Sequence, residues 1–303
     1  MTATELATRR GSALWRRAGD ARLIATGAYA ILLQVSHPTV GAGVTEHSDF
    51  RSDPWGRLLR TLDYSYAMTY GGPELATGLG RRIREMHRSI RGRKADGGPY
   101  HALEPEAFTW VHATLVDSIV RGHQLLVGPL RPGEIDDLYA QWRRSGELIG
   151  VRERDMPADW AAFGDYFERM VSERLERTRA VDEVLEAIGD PRRPPLPLLT
   201  EPAWRLARMP VTHQISLVTA GLLTPSLRDR FGIRWTRASR LQLRLLAAAS
   251  RAVTPLLLPQ VRNVGPTYLR LRSGAIARGD AASPERAPGA GDASAATVGA
   301  QPA

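Results

Sequence analysis

The two segments that decide the fold are Arg57-Leu58-Leu59-Arg60-Thr61 and, 26 residues beyond Thr61, His87-Arg88-Ser89-Ile90-Arg91-Gly92. Arg57 and Thr61 are four residues apart, as are His87 and Arg91, and a helix places side chains with that spacing on one face. Asp53 precedes the first helix as a cap, and Gly92 closes the second. The pattern predicts that a histidine on one helix faces an arginine and a threonine on another.

The rest of the chain shows further helical patterns separated by short Gly and Pro loops. We predict helices over residues 22–36, 55–70, 74–91, 105–127, 133–149, 159–188, 201–208, 214–223 and 235–253. Strict period-two alternation is scarce, so the predicted fold class is all-α. Residues 12–273 form one main domain, and the Ala, Gly, Ser and Pro-rich residues 274–303 are predicted to be a disordered tail.

His87 falls in the apolar stripe of its predicted helix, because Leu79, Ile83 and Ile90 lie eight and four residues before it and three after it. A histidine turned toward the core is either a hydrogen-bonded structural residue or a metal ligand. His112 also faces an apolar stripe, and we expect a structural role for it. A histidine ligand opposite cationic side chains suits an iron-porphyrin, because imidazole binds the metal and cations meet the propionates.

Two other polar groups near these segments carry expectations. Asp63 lies within reach of Arg60 on the same predicted helix, so we expect the two to pair. Residues 46–49 are predicted to form a polar loop, in which Glu46 is a candidate general base.

Composition limits the alternatives. The chain has 303 residues and no cysteine, which excludes a disulfide framework, a thiolate-ligated haem and an iron–sulfur cluster. Its net charge is +9, and the basic residues are nearly all arginines scattered along the chain. No nucleic-acid-binding motif stands out, so no nucleic-acid partner is predicted. The apolar run 23–35 is shorter than the roughly 20 residues needed to span a bilayer.

A series of short motifs follows in order along residues 12–270. It comprises Gly19-Asp20-Ala21-Arg22, Leu32-Leu33-Gln34, His37-Pro38, His47-Ser48-Asp49-Phe50, Asp53-Pro54, Arg57-Leu58-Leu59-Arg60-Thr61, Met86-His87, Ile90-Arg91-Gly92, Tyr100-His101-Ala102-Leu103-Glu104-Pro105, Trp110-Val111-His112-Ala113-Thr114 and Glu147-Leu148-Ile149-Gly150-Val151. This series resembles the MpaB/rubber oxygenase family, whose best-known branch is the latex-clearing proteins. The resemblance implies a globin-like helical bundle around a buried b-type haem, and cleavage of carbon–carbon double bonds by dioxygen.

The resemblance also implies roles for individual residues. His87 is expected to ligate the haem iron, with Arg57 and Thr61 on the facing helix as cofactor-binding residues. Arg91 is a further expected cofactor-binding residue, on the basis of its positive charge one predicted turn from His87. Arg57, Thr61 and Arg60 are expected to be catalytic. Arg60 stands where the latex-clearing proteins have a lysine that can occupy the distal iron position, and its protonated guanidinium is a poor metal ligand.

The expected function is that of a haem b-dependent oxygenase acting with dioxygen on a small or medium apolar, isoprenoid-like substrate. Rubber itself is not expected, since no secretion signal is evident at the start of the chain. The alternative is a non-catalytic helical protein that binds haem or lipid at a membrane surface, which the apolar run Pro255–Pro259 favours. The expected location is cytoplasmic, with peripheral membrane contact in that alternative; the sequence leaves the oligomeric state open.

Overall fold

The computed structural model describes residues 2–48, 53–196 and 198–278, and these are predominantly helical, as predicted. The helices are α1 Ala3–Leu6, α2 Ala13–Arg17, α3 Gly27–Val35, α4 Pro38–His47, α5 Pro54–Tyr70, α6 Gly72–Arg88, α7 Pro105–Gly122, α8 Pro132–Ile149, α9 Trp160–Arg169, α10 Arg179–Gly189, α11 Glu201–Leu222, α12 Pro225–Phe231, α13 Arg237–Ala252, α14 Pro259–Arg262 and α15 Gly265–Arg278. Strands β1 Arg91–Arg93 and β2 Pro99–His101 form an antiparallel hairpin between α6 and α7.

The centre of the core lies where α3, α7 and α8 pack together. Leu32 and Leu33 of α3, Trp110 of α7 and Trp142 of α8 are fully buried. The indole Nε1 of Trp110 donates to the Leu33 carbonyl at 2.7 Å, and that of Trp142 donates to the His112 carbonyl at 3.0 Å. These bonds satisfy the polar atoms of large aromatic side chains and fix the relative positions of the three helices.

Helices α5 and α6 form the side of the bundle that carries the two diagnostic segments. The Asp53 carboxylate accepts from the Gly56 amide at 2.8 Å, which confirms the predicted cap of α5. At the other end of α5 the chain turns through Gly72, whose φ is +72°. Helix α6 then packs closely on α8, because Gly80 has no Cβ to collide with the Leu148 carbonyl.

The second diagnostic segment is helical only in its first part. Helix α6 ends at Arg88, and Ser89 is its C-cap. Arg91 pairs with His101 and Gly92 with Tyr100 in the β hairpin, so the predicted continuation of the helix to Arg91 and the closing role of Gly92 are wrong. The ladder hydrogen bonds with β2 replace those of another helical turn.

Other predicted boundaries also change where tertiary contacts intervene. The helix predicted over 159–188 breaks into α9 and α10, because the Thr178 hydroxyl accepts from the Val181 amide and donates to the Val35 carbonyl at 2.7 Å. The helices predicted over 201–208 and 214–223 are continuous in α11, with Pro210 inside it. Residues 22–36 divide into a 3-10 segment, Ala21–Thr26, and α3.

The C-terminal helix α15 extends into the predicted tail. It continues to Arg278, whereas the predicted disorder begins at residue 274, and Ile276 is buried in a cluster with Ala67 and Leu79. Residues 279–303, the rest of that prediction, lie outside the described residues. Within the described ranges no single helix is long and apolar enough to cross a membrane. The segments Ala21–Val35 and Pro38–His47 reach the necessary length and apolar content only when they are taken together, and the chain bends by 105° between them.

Candidate functional site

A cavity of about 280 Å³ lies between helices α4, α5, α6 and α7. Its wall includes His87 of α6 and Arg57, Arg60 and Thr61 of α5, so the structure brings four of the five sequence-predicted site residues to one place. Both helices present these side chains on the faces that the four-residue spacing and the apolar stripe indicated. Arg91 is the exception, because it lies in β1 with an exposed side chain and does not line the cavity.

His87 is held with one ring nitrogen available. Its Nδ1 donates to the Ile83 carbonyl at 2.7 Å, one turn back in the same helix, which leaves the lone pair on Nε2. Among the described residues Nε2 has no hydrogen-bond partner. Phe108 packs edge-on against the ring, with 5.8 Å between centroids. Burial lowers the pKa of His87, and the nearby Arg57 charge lowers it further, so the imidazole is neutral at pH 7.

The residues of α5 are bonded to their surroundings in different ways. Arg57 donates from Nη1 to the Ser48 hydroxyl at 2.6 Å. The Thr61 hydroxyl donates to the Arg57 carbonyl at 3.1 Å, so its lone pairs, and not its proton, are offered to a ligand. Arg60 pairs with Asp53 at 3.6 Å, and the expected pairing with Asp63 is wrong. Asp63 is instead bound by Arg272 and Tyr268 of α15.

His112 also lines the cavity, but its ring nitrogens are both used. Nε2 donates to the Trp142 carbonyl at 3.0 Å, and Nδ1 accepts from the Tyr64 hydroxyl at 3.2 Å. The ring stacks on the Trp142 indole with 4.7 Å between centroids. Burial lowers the pKa of His112 to about 4. This environment confirms the expected structural role.

The candidate base on residues 46–49 takes a different form from the one predicted. Glu46 and His47 are the last residues of α4 and not part of a loop. The Tyr100 hydroxyl donates to Glu46 Oε2 at 2.6 Å, and Glu46 does not line the cavity. Asp49 lies outside the described residues. His47 and Ser48 do reach the cavity wall, where Ser48 holds Arg57.

The remaining wall is largely apolar, and sequence reasoning only partly anticipated it. Its apolar members include Leu79, Ile83, Met86, Phe108, Val111 and Leu115. These residues follow helical spacing along α6 and α7, so the sequence identifies two apolar faces. It does not show that a cavity lies between them. The sequence signal for these wall residues is their spacing, which is 4 and 3 residues along α6 and 3 and 4 residues along α7.

The sequence of the chain matches the model of one protein family. The model of the catalytic domain described as "ER-bound oxygenase mpaB/B'/Rubber oxygenase" matches residues 15–252. The chain belongs to the mpaB/rubber oxygenase family. The description of that domain gives this member a general oxygenase role. The match spans every residue that lines the cavity and ends in α13, so α15 lies beyond the mpaB/rubber oxygenase domain.

Two mycobacterial relatives are similar to this mpaB/rubber oxygenase family member. An uncharacterized protein of Mycobacterium bovis and one of Mycobacterium tuberculosis are each 26% identical to it over 226 residues. The aligned part covers 73% of this chain and 84% of each relative. No solved structure matches the chain significantly.

Proposed function

We propose that this protein is a haem b-dependent oxygenase that uses dioxygen to cleave or oxygenate a small or medium apolar, isoprenoid-like substrate. One observation carries the proposal: the cavity presents a histidine whose Nδ1 is anchored on a backbone carbonyl and whose Nε2 has no partner among the described residues. Metal-bound histidines commonly donate their second ring nitrogen in this manner, which fixes the ring and its tautomer.

The residues around the cavity fit a haem group. His87 provides a neutral imidazole, which is the protonation state that binds iron. Arg57 and Arg60 supply two cations to a cavity whose other walls are mostly apolar, and a haem has carboxylates at one edge of an apolar macrocycle. His112 does not compete as a ligand, because both of its ring nitrogens are hydrogen-bonded within the core.

Each side chain has a definable task in this reading. Haem b, when bound, supplies the iron chemistry that activates dioxygen, which amino-acid side chains alone do not provide. His87 would hold the group through Nε2, and Phe108 limits rotation of its ring. Arg57, positioned by Ser48, would bind a haem propionate or polarise the dioxygen that reacts with the substrate. Thr61 would accept a hydrogen bond through its lone pairs.

The apolar wall supports the substrate class. Leu79, Met86, Val111 and Leu115 offer no hydrogen-bonding groups to orient a polar substrate. A hydrocarbon chain with double bonds would instead bind by removal of its surface from water. The same wall excludes water from the reacting carbon, which protects oxidised intermediates from side reactions.

Absorption spectroscopy of the purified full chain tests the proposal directly. We expect a Soret band and near-stoichiometric haem, and we expect His87→Ala to lose most of both. His213→Ala is the matched control, because His213 is exposed on α11 and remote in sequence from the cavity residues. Added imidazole should restore haem to His87→Ala by replacing the missing ligand.

Two outcomes would count against the proposal. A protein that stays colourless after haem addition, or a His87→Ala spectrum equal to that of the unchanged chain, would contradict the ligand assignment. A haem-loaded protein that consumes no oxygen with isoprenoid alkenes would favour the alternative, a non-catalytic haem-binding protein.

A further inference from the structure

Helix α13 presents leucines and arginines to solvent on one face. Leu241 and Leu245 are four residues apart, and they are 57% and 62% exposed to solvent. Arg237 and Arg244 lie on the same side by helical spacing and are also exposed. The opposite face of α13 is the one that packs, since Leu243 is buried in a cluster with Leu217, Val218 and Leu126.

The orientation of this face is fixed by hydrogen bonds at the C-terminal end of the helix. Arg251 donates to the carbonyls of Gln124 and Leu125, at 2.5 and 3.1 Å. The Ser250 hydroxyl donates to the Leu126 carbonyl at 2.7 Å, and Arg22 donates to the Ser250 carbonyl at 2.8 Å. Rotation of α13 to bury Leu241 and Leu245 would break these bonds, so the leucines remain at the surface.

Exposed apolar side chains continue directly beyond the helix. Val253, Leu256 and Leu258 follow α13, and Leu256 retains 82% of its exposure. We define the α13 surface as eight exposed arginine, leucine and valine residues between positions 237 and 258, namely Arg237, Arg240, Leu241, Arg244, Leu245, Val253, Leu256 and Leu258. Several exposed apolar side chains within one short segment mark an interaction site more often than a single exposed leucine does.

The sequence segment that carries this surface is strongly basic. Residues 230–278 contain arginines at ten positions and no Asp or Glu, so their formal charge of +10 exceeds the +9 of the whole chain. The arginines are scattered along the chain, as noted above, but the acidic residues that balance them elsewhere are missing here. Among the described residues, Arg237, Arg240 and Arg244 form no ion pair with a carboxylate.

We propose that the α13 surface binds an anionic phospholipid bilayer at its interface. Leucines alternating with arginines on one helix face suit a surface with apolar chains below anionic headgroups. The arginine stems can lie along the apolar boundary while their guanidinium groups meet the headgroup phosphates. A second copy of the chain fits less well, because two such faces would repel each other. This proposal does not depend on haem.

Vesicle flotation with the full chain tests the proposal. We expect binding to phosphatidylcholine vesicles that contain about 30 mol% phosphatidylglycerol, weak binding to pure phosphatidylcholine, and release at high salt. Arg240→Gln with Arg244→Gln should weaken binding about 25-fold, because each basic residue near an anionic surface contributes about a factor of five. Leu241→Ser with Leu245→Ser should weaken it about tenfold, through lost apolar burial.

Matched controls lie outside the α13 surface. Leu198→Ser removes a leucine that is 96% exposed, and Arg81→Gln removes an exposed charge on α6, so each should leave vesicle binding within twofold. Circular dichroism of every variant checks that the helical fold is retained.

Three results would overturn the proposal. One is the absence of binding to anionic vesicles. Another is tighter binding to a short DNA duplex that the leucine substitutions leave unchanged, which would assign the charge to nucleic acid. The third is a dimer in size-exclusion chromatography that Leu241→Ser with Leu245→Ser dissociates, which would assign the surface to self-association.

Discussion

Replacement of Arg272 by methionine should destabilise the fold, because it leaves a buried carboxylate without its charged partner. Asp63 on α5 is 1% exposed. Arg272 of α15 donates to its two oxygens at 2.6 and 3.1 Å, and the Tyr268 hydroxyl donates at 2.7 Å. The Asp63 carboxylate also holds the pKa of Arg272 above its ordinary value, which keeps the guanidinium charged.

The expected loss of stability depends on how deeply Asp63 and Arg272 are each buried. Removal of one partner from a buried ion pair costs about 3–5 kcal/mol. The Arg272 side chain is 34% exposed and the Tyr268 bond remains, so water can replace part of what is lost. We therefore expect Arg272→Met to lower the free energy of unfolding by about 2–3 kcal/mol. The melting temperature should fall by roughly 3–5 °C.

Urea unfolding of a double-mutant cycle measures this energy. Asp63→Asn combined with Arg272→Met should cost clearly less than the sum of the two single changes, by at least about 1 kcal/mol. Arg270→Met is the control on the same helix, because Arg270 is exposed and, among the described residues, donates only to the Thr267 hydroxyl. Equal stability of the Arg272 and Arg270 variants, or strict additivity in the cycle, would refute the reasoning.

Three further predictions concern the core. Burial lowers the pKa of His112 from about 6.5 to about 4, so below pH 6.5 the unfolded state binds a proton that the folded state excludes. Protonation of His112 in the unfolded state should therefore lower the free energy of unfolding by about 2 kcal/mol as the pH falls from 7.5 to 5. In the His112→Gln variant, urea unfolding at the same pH values should show a smaller fall. Gly80→Ala should lower the free energy of unfolding by about 1–3 kcal/mol, because the added Cβ would collide with the Leu148 carbonyl. An unchanged melting temperature would contradict the close contact between α6 and α8. Thr178→Ala should lower the free energy of unfolding by about 1–2 kcal/mol, because it removes the α10 cap and the hydrogen bond to the Val35 carbonyl. An unchanged melting temperature in calorimetry would contradict this prediction.

Local sequence signals determined much of the helical framework. Asp53 caps α5 as predicted, and the prolines at the starts of α7 and α8 mark their first turns. These signals work because a cap or a first-turn proline acts on backbone groups within four residues. The placement of His87 and Thr61 on the cavity side also follows from helical periodicity, since the apolar stripe defines which face turns inward.

Contacts between distant parts of the chain decided what the local signals left open. Arg91 has helical spacing from His87, yet pairing with His101 places it in a strand. Asp63 is three residues from Arg60, yet Arg272, 209 residues away, binds it in the core. Helix α15 continues past residue 274, where composition suggests disorder, because Ile276 is buried against the α5–α6 side of the bundle. Such partners depend on packing and have no signature in a short window of sequence.

The two histidines of the cavity show this division most clearly. His87 and His112 both follow apolar spacing, so the sequence places both on inward helix faces and does not separate ligand from structural residue. In the folded chain, Tyr64 of α5 and Trp142 of α8 take up both nitrogens of His112. Among the described residues, the one hydrogen-bond partner of the His87 ring is a carbonyl of its own helix, so its Nε2 remains available at the cavity. The sequence determined which faces point inward, and the tertiary structure decided which of the two histidines has both ring nitrogens hydrogen-bonded, because only packing brings other helices to each ring.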